Sequence, residues 1–273
     1  MKRIVFASLC LAICTSVHAG GVVRLWSHNK HTDSIEQMIA EGRCVPAVEA
    51  IKAGITEKKP EVMLLAGTMY DEGLCVKPNW DRAAAFYMRA QDSRQRFALE
   101  HLIAGYARPG RDNGMALYWA AQSHVRMGLP PECIPAADPL KDPDGFASAI
   151  DKMPPVVFQS CVYTVGVVAQ IFSEASYPPL ALDWNVTGKI RMEFDPAANT
   201  VDWQADTLDV RENPSGIRNG ADDLVQNPRA VKNSLVNYLK GKSDFALKRF
   251  ARPSTWGLDR TFRYKRELEF TID

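Results

Sequence analysis

The residues through which this chain could do chemistry are six cysteines, five histidines and one Ser-x-x-Lys quartet. Ser27-His28-Asn29-Lys30 has the spacing of a serine nucleophile with a lysine base. No Ser-Asp-Asn or Lys-Thr-Gly element follows it, and it sits in a polar stretch near the amino terminus, so a solvated tail is the expected reading. His28 and His31, with Asp33 and Glu36, could gather a metal only on a backbone that held them still. His101 and His124 fall on expected helices, as surface or core residues rather than bases. There is no Gly-x-Ser-x-Gly, no His-Glu-x-x-His and no phosphate-cradling glycine loop. No catalytic residue, cofactor or metal is expected on these grounds.

The cysteines acquire meaning from the segment that precedes them. Lys2 and Arg3 lead into an apolar run over 4–17, too short to cross a ~30 Å hydrocarbon layer comfortably. Val17-His18-Ala19 before Gly20-Gly21 completes the pattern of a secretory signal cleaved after Ala19. Leu11-Ala12-Ile13-Cys14 approaches a lipobox, but Ile13 stands where a small residue is needed. No later stretch is read as approaching 18 apolar residues, so no membrane span is expected in the mature chain. Cleavage removes Cys10 and Cys14. Cys44, Cys75, Cys133 and Cys161 remain, an even number in an exported chain, which suggests two disulfides with three possible connectivities. Sequential pairing, Cys44 with Cys75 and Cys133 with Cys161, is the choice that keeps each bridge within one local unit. With 33 Lys and Arg against 32 Asp and Glu, the chain has no cationic surplus to suggest nucleic-acid binding.

The elements that position these residues begin with an internal repeat. Ala66-Gly67-Thr68-Met69-Tyr70 leads through Gly73 and Val76 to Arg82-Ala83 and Phe86-Tyr87. Leu102-Ile103-Ala104-Gly105-Tyr106 leads through Gly110 to Met115-Ala116 and Trp119. Ala47 opens a further helix-like run, expected to stop at Gly54. Two helices per unit are implied, with small residues allowing close approach and aromatics filling the gaps. Asn79 is placed to cap the second helix of its unit. Residues 62–91 resemble the Sel-like repeat of the tetratricopeptide-like superfamily, with Gly67, Tyr70, Gly73, Val76, Arg82-Ala83, Phe86-Tyr87 and Arg89-Ala90 at the matching positions. Residues 98–128 and 34–54 match less closely. That resemblance implies a superhelical scaffold for protein contacts.

Seven prolines lie between Leu129 and Pro155, a density not expected to sustain helices or a central strand. Beyond it, Ile190, Met192 and Phe194 alternate with polar residues, then Asp195-Pro196-Ala197-Ala198-Asn199 turns, and Val201, Trp203 and Ala205 alternate again. This is a hairpin. Val231, Leu235 and Leu239 mark an amphipathic helix, expected to end near Gly241. In the closing run Phe262, Tyr264, Leu268, Phe270 and Ile272 face one way, while Arg263, Lys265, Glu267 and Glu269 face the other. The last 35 residues are rich in Lys and Arg and could present a basic face.

Tyr177-Pro178, Gly188, the hairpin, Ala230, Leu235, Arg249-Phe250-Ala251-Arg252-Pro253 and Leu268-Glu269-Phe270 together resemble the TonB C-terminal domain. That resemblance implies a partner-binding α+β fold in the Gram-negative periplasm, with the last strand at a sheet edge open to an extended peptide. Tyr177, Pro178, Arg263, Lys265, Glu267 and Glu269 are its candidate binding residues. The expected architecture is multidomain. A signal peptide (1–19) precedes an all-α helical-repeat solenoid (20–128), a Pro-rich linker (129–155) and a small α+β domain (156–273) with an antiparallel sheet and one main covering helix. The expected function is a periplasmic, non-enzymatic adaptor for protein partners of the cell envelope. A TonB-type energy transducer component for outer-membrane transport and a penicillin-recognising hydrolase are the alternatives.

Overall fold

In the computed structural model the described residues are 22–25 (backbone only), 32–175, 181, 184, 186–210 and 228–270. The signal-like segment, Ser27, His28, His31, Tyr177 and Pro178 lie outside them.

A strand, β1 (Val22–Leu25), comes first. Three helix pairs follow: α1 (Asp33–Ala40) with α2 (Cys44–Thr56), α3 (Pro60–Glu72) with α4 (Trp80–Asp92), and α5 (Ala98–Tyr106) with α6 (Asn113–Gln122). Each helix packs on the next. Ala47, Ala83 and Ala116 occupy the second helix of each pair, and each is wholly buried. The expected cap on α4 is present: the Asn79 Oδ1 accepts the Arg82 N–H at 2.9 Å. Gly54 does not stop α2. It lies inside the helix, where a Cβ would stand 2.7 Å from the Val62 side chain of α3, so its role is close approach.

The Pro-rich stretch holds more order than its composition predicts. It contains a 3₁₀ turn (Pro131–Cys133) and a helix, α7 (Pro143–Asp151). Proline is tolerated at the first helical position, and Asp142 caps α7 by accepting the Gly145 N–H at 2.9 Å. The next helix, α8 (Pro155–Glu174), is absent from the sequence reading. It is 20 residues long, with a mean hydropathy of 1.6 over its most apolar 18 residues, so by length and composition alone it could cross a membrane, which corrects the expectation that no such stretch exists. Every residue from Ser160 to Phe172 is buried. A helix apolar on all sides carries no amphipathic period, and α8 is buried all round because α5 and α6 pack on it from one direction and α9 (Pro228–Arg249) from another.

Strands β2 (Val186–Asp195), β3 (Thr200–Val210) and β4 (Tyr264–Phe270) are the other strands among the described residues. The sheet order is β1-β4-β2-β3. The β2–β3 hairpin turns where expected, with Asp195 Oδ1 accepting the Ala198 N–H and Asn199 in the left-handed region at φ 62°. Two expectations are corrected. The sheet is not wholly antiparallel, because β1 joins β4 in parallel, Val22 opposite Glu267 and Leu25 opposite Phe270. For the same reason β4 is not an edge strand: β2 lies on one side and β1 covers Glu267–Phe270 on the other. The stretch read as wholly helical thus also lends a strand to the sheet.

Helix α9 continues through Gly241 to Arg249, because the buried positions Val231, Leu235 and Leu239 are extended by Ser243 and Ala246. Ser243 accepts the Trp203 indole N–H at 3.0 Å and ties α9 to β3. One continuous apolar core runs from Ile103 through α8 to Phe270, shared by the third helix pair and the sheet. Three smaller clusters lie among the earlier helix pairs, two of them reaching Leu102 and Ala98 of α5. The two disulfides are Cys44–Cys75, with Cα atoms 5.0 Å apart, and Cys133–Cys161 at 5.3 Å, the sequential pairing expected.

Candidate functional site: a charged groove on the outer sheet face

Strand alternation sorts the sheet into two faces. Ile190, Met192 and Phe194 of β2, Trp203 and Leu208 of β3, and Tyr264, Leu268 and Phe270 of β4 are buried on the inner face. Their neighbours in sequence point outward and are polar: Lys189, Arg191 and Glu193, Gln204 and Thr207, and Lys265, Glu267 and Glu269. The β2–β3 register slips between Lys189, opposite Thr207, and Arg191, opposite Gln204. The extra residue on β3 switches its buried parity from Trp203 to Leu208. It also opens a groove of about 280 Å³ lined by Gly188, Lys189, Arg191, Gln204, Thr207, Glu267 and Glu269. Gly188 has φ 111°, and a Cβ there would stand 2.4 Å from the Thr207 carbonyl oxygen. Only glycine accommodates both the backbone angle and the approach.

The groove is lined by charges of both signs. Lys189 Nζ is 3.4 Å from Glu267 and Arg191 is 4.0 Å from the same carboxylate, while Arg191 also donates to Gln204 Oε1 at 3.2 Å. All are partly exposed, so these pairs hold side chains in place more than they stabilise the fold. Of the sequence-derived binding residues, Glu267 and Glu269 line the groove. Lys265 and Arg263 lie farther along, each engaged across the sheet, with Glu193 at 3.2 Å and Asp195 at 2.7 Å. Lys189, Arg191, Gln204 and Thr207 are added by the fold. Outward alternation marked the β2 residues in the sequence; only strand pairing brings them beside β4.

The basic carboxy-terminal stretch does not form one solvated face. Arg249 pairs with Asp71 at 3.3 Å and with Glu72, and Arg108 and Arg111 join Asp71 at 3.1 and 2.8 Å. This network ties α9 to α3 and to the loop after α5. Lys242 pairs with Glu174 at 3.1 Å. Arg266 is 1% exposed on the inner face of β4, where its Nε donates to Tyr264 Oη at 3.1 Å. His101 is stacked on Tyr87 with ring centroids 4.8 Å apart, and desolvation lowers its pKa. Among the described residues no three His, Cys, Asp or Glu side chains gather as a metal site would need.

The chain matches no protein-family model, no curated protein and no solved structure.

Proposed function

We propose that this chain is an exported, periplasmic adaptor. In this reading its helix pairs are Sel-like repeats that hold one envelope protein, and its sheet layer is a TonB C-terminal-like unit that holds another. It is not read as an enzyme. The observation that carries the proposal is the open groove, which sets two carboxylates and two cations side by side on a rigid ladder. Such a surface suits an extended polypeptide bearing charges of both signs, since fixed charges select a partner and its register. Two disulfides fit an oxidising compartment outside the cytoplasm.

The test is site-specific photocrosslinking in intact cells, with the photoreactive residue at Thr207 in the groove or at Val45 on the helix pairs, which is 76% exposed. Distinct crosslinked proteins at the two positions are expected. The groove adduct should fall at least ten-fold when Glu267→Lys and Glu269→Lys are combined, with the helical adduct unchanged. No adduct at either position, or a groove adduct indifferent to the charge reversal, would sink the adaptor reading.

A further inference from the structure

The junction of the third helix pair with the sheet contains a carboxyl group that the groove does not use. Glu100, on α5, is 2% exposed. Its Oε1 lies 3.4 Å from Nδ1 of His124, in the 3₁₀ turn over 124–128, without hydrogen-bond geometry. His124 Nε2 is sealed from solvent and has no hydrogen-bond partner either, although about a third of the side chain is exposed. Phe172 of α8 packs against the imidazole with ring centroids 5.5 Å apart. From β4, Tyr264 and Arg266 face the pair, and Tyr264 Oη donates to the Val125 carbonyl at 3.3 Å. Arg96, just ahead of α5, is the other charged group near both.

A backbone N–H and the Arg96 charge favour an ionised Glu100, but burial outweighs both, and with Oε1 left without a donor the cheapest remedy is to keep the proton. We propose that Glu100 and His124 form a proton latch: folding moves the pair's proton from the imidazole to the carboxyl, and α5 closes against the 124–128 turn and β4 around a neutral acid and a neutral imidazole. The shifts agree in direction. Burial pushes the Glu100 carboxyl up to about 7, while burial and then the Arg266 and Arg96 charges push His124 down to about 4. With the ordinary values of 4.5 and 6.5, the pair holds one proton both folded and unfolded across the window between them. The latch is therefore indifferent to pH over mildly acidic conditions. Above that window the raised Glu100 pKa means stability present below 4.5 is lost as pH rises through 7. Below it, the lowered His124 pKa means stability present above 6.5 is lost as pH falls through 4.

Glu100→Gln is the isostere of the protonated acid, and this separates the latch from an ion pair. Urea unfolding of the full chain at pH 5 and pH 8 is the measurement. The ratio of folding constants, Glu100→Gln over wild type, should rise on the order of a hundred-fold between the two pH values. His124→Asn should show the opposite trend, gaining on wild type as pH falls. A Glu100→Gln deficit at pH 5 that never becomes a gain at pH 8, with His124→Asn losing on wild type as pH falls, would mean an ionised pair and overturn the proposal. If that variant does not fold, the carbon chemical shift of the Glu100 carboxyl in the wild-type protein decides. A protonated carboxyl at pH 5.5 supports the latch, and an ionised one overturns it.

Discussion

The two disulfides sit in contrasting surroundings. Around Cys44–Cys75, the first helix pairs bury small, separate clusters, and among the described residues α1 and α2 rest chiefly on one another and on α3, with Phe86 of α4 beside them. Around Cys133–Cys161, both sulfur-bearing residues lie inside the core that runs from Ile103 to Phe270. The lesson is that one bridge substitutes for a core and the other is embedded in one. A short helix pair cannot bury enough apolar surface to order itself, so a covalent tie that restricts its unfolded state has most to contribute there.

That contrast can be broken at three points. The largest effect is expected from Phe172→Ala, which hollows the shared core at a fully buried position. The loss should be about 3–5 kcal/mol, and urea unfolding should show the third helix pair and the sheet melting together. Separate transitions for the two would contradict a shared core. Next comes Cys44→Ser with Cys75→Ser, expected to cost about 3.5 kcal/mol for a loop of this size. Hydrogen exchange should report the loss in α1 and α2 while α8 and the sheet keep their protection; uniform loss would erase the distinction between the bridges. The smallest is Arg249→Met, which frees Glu72 and one oxygen of Asp71 while Arg108 and Arg111 still hold Asp71. About 1–3 kcal/mol is expected, seen as faster exchange at the carboxy-terminal end of α9. No change there would mean that the network does not couple α9 to α3.

Much of the local structure was legible. The hairpin turn at 195–199, the Asn79 cap and the inward set of β4 follow from patterns within a dozen residues, and the spacing of Ala47, Ala83 and Ala116 from a repeat of 33–36 residues. Glu267 and Glu269 were legible as outward-facing for the same reason. The rest of the groove was not, because the slip that opens it depends on how β3 pairs with β2. Arg266 illustrates the limit: alternation puts it on the inner face with Tyr264 and Leu268, but its charge argues for solvent. It is buried beside Tyr264, whose hydroxyl accepts its Nε–H, a neighbour the residue type cannot announce. Helix α8 fails from the other direction. A segment buried on every side carries no period, so the rule that finds half-buried helices passes over it.

By itself, the sequence determined what short-range chemistry dictates: which residues cap, turn and alternate, and which cysteines could be tied within one unit. The tertiary structure alone decided what depends on contact between distant segments. It wrapped α8 in helices from both halves, laid β1 beside β4 where a free edge was expected, and drew Arg249 and Arg266 out of solvent. It also set the buried Glu100 carboxyl against His124. Burial and pairing belong to the assembled chain, since the free energy of an apolar, charged or hydrogen-bonding group is fixed by what packs around it.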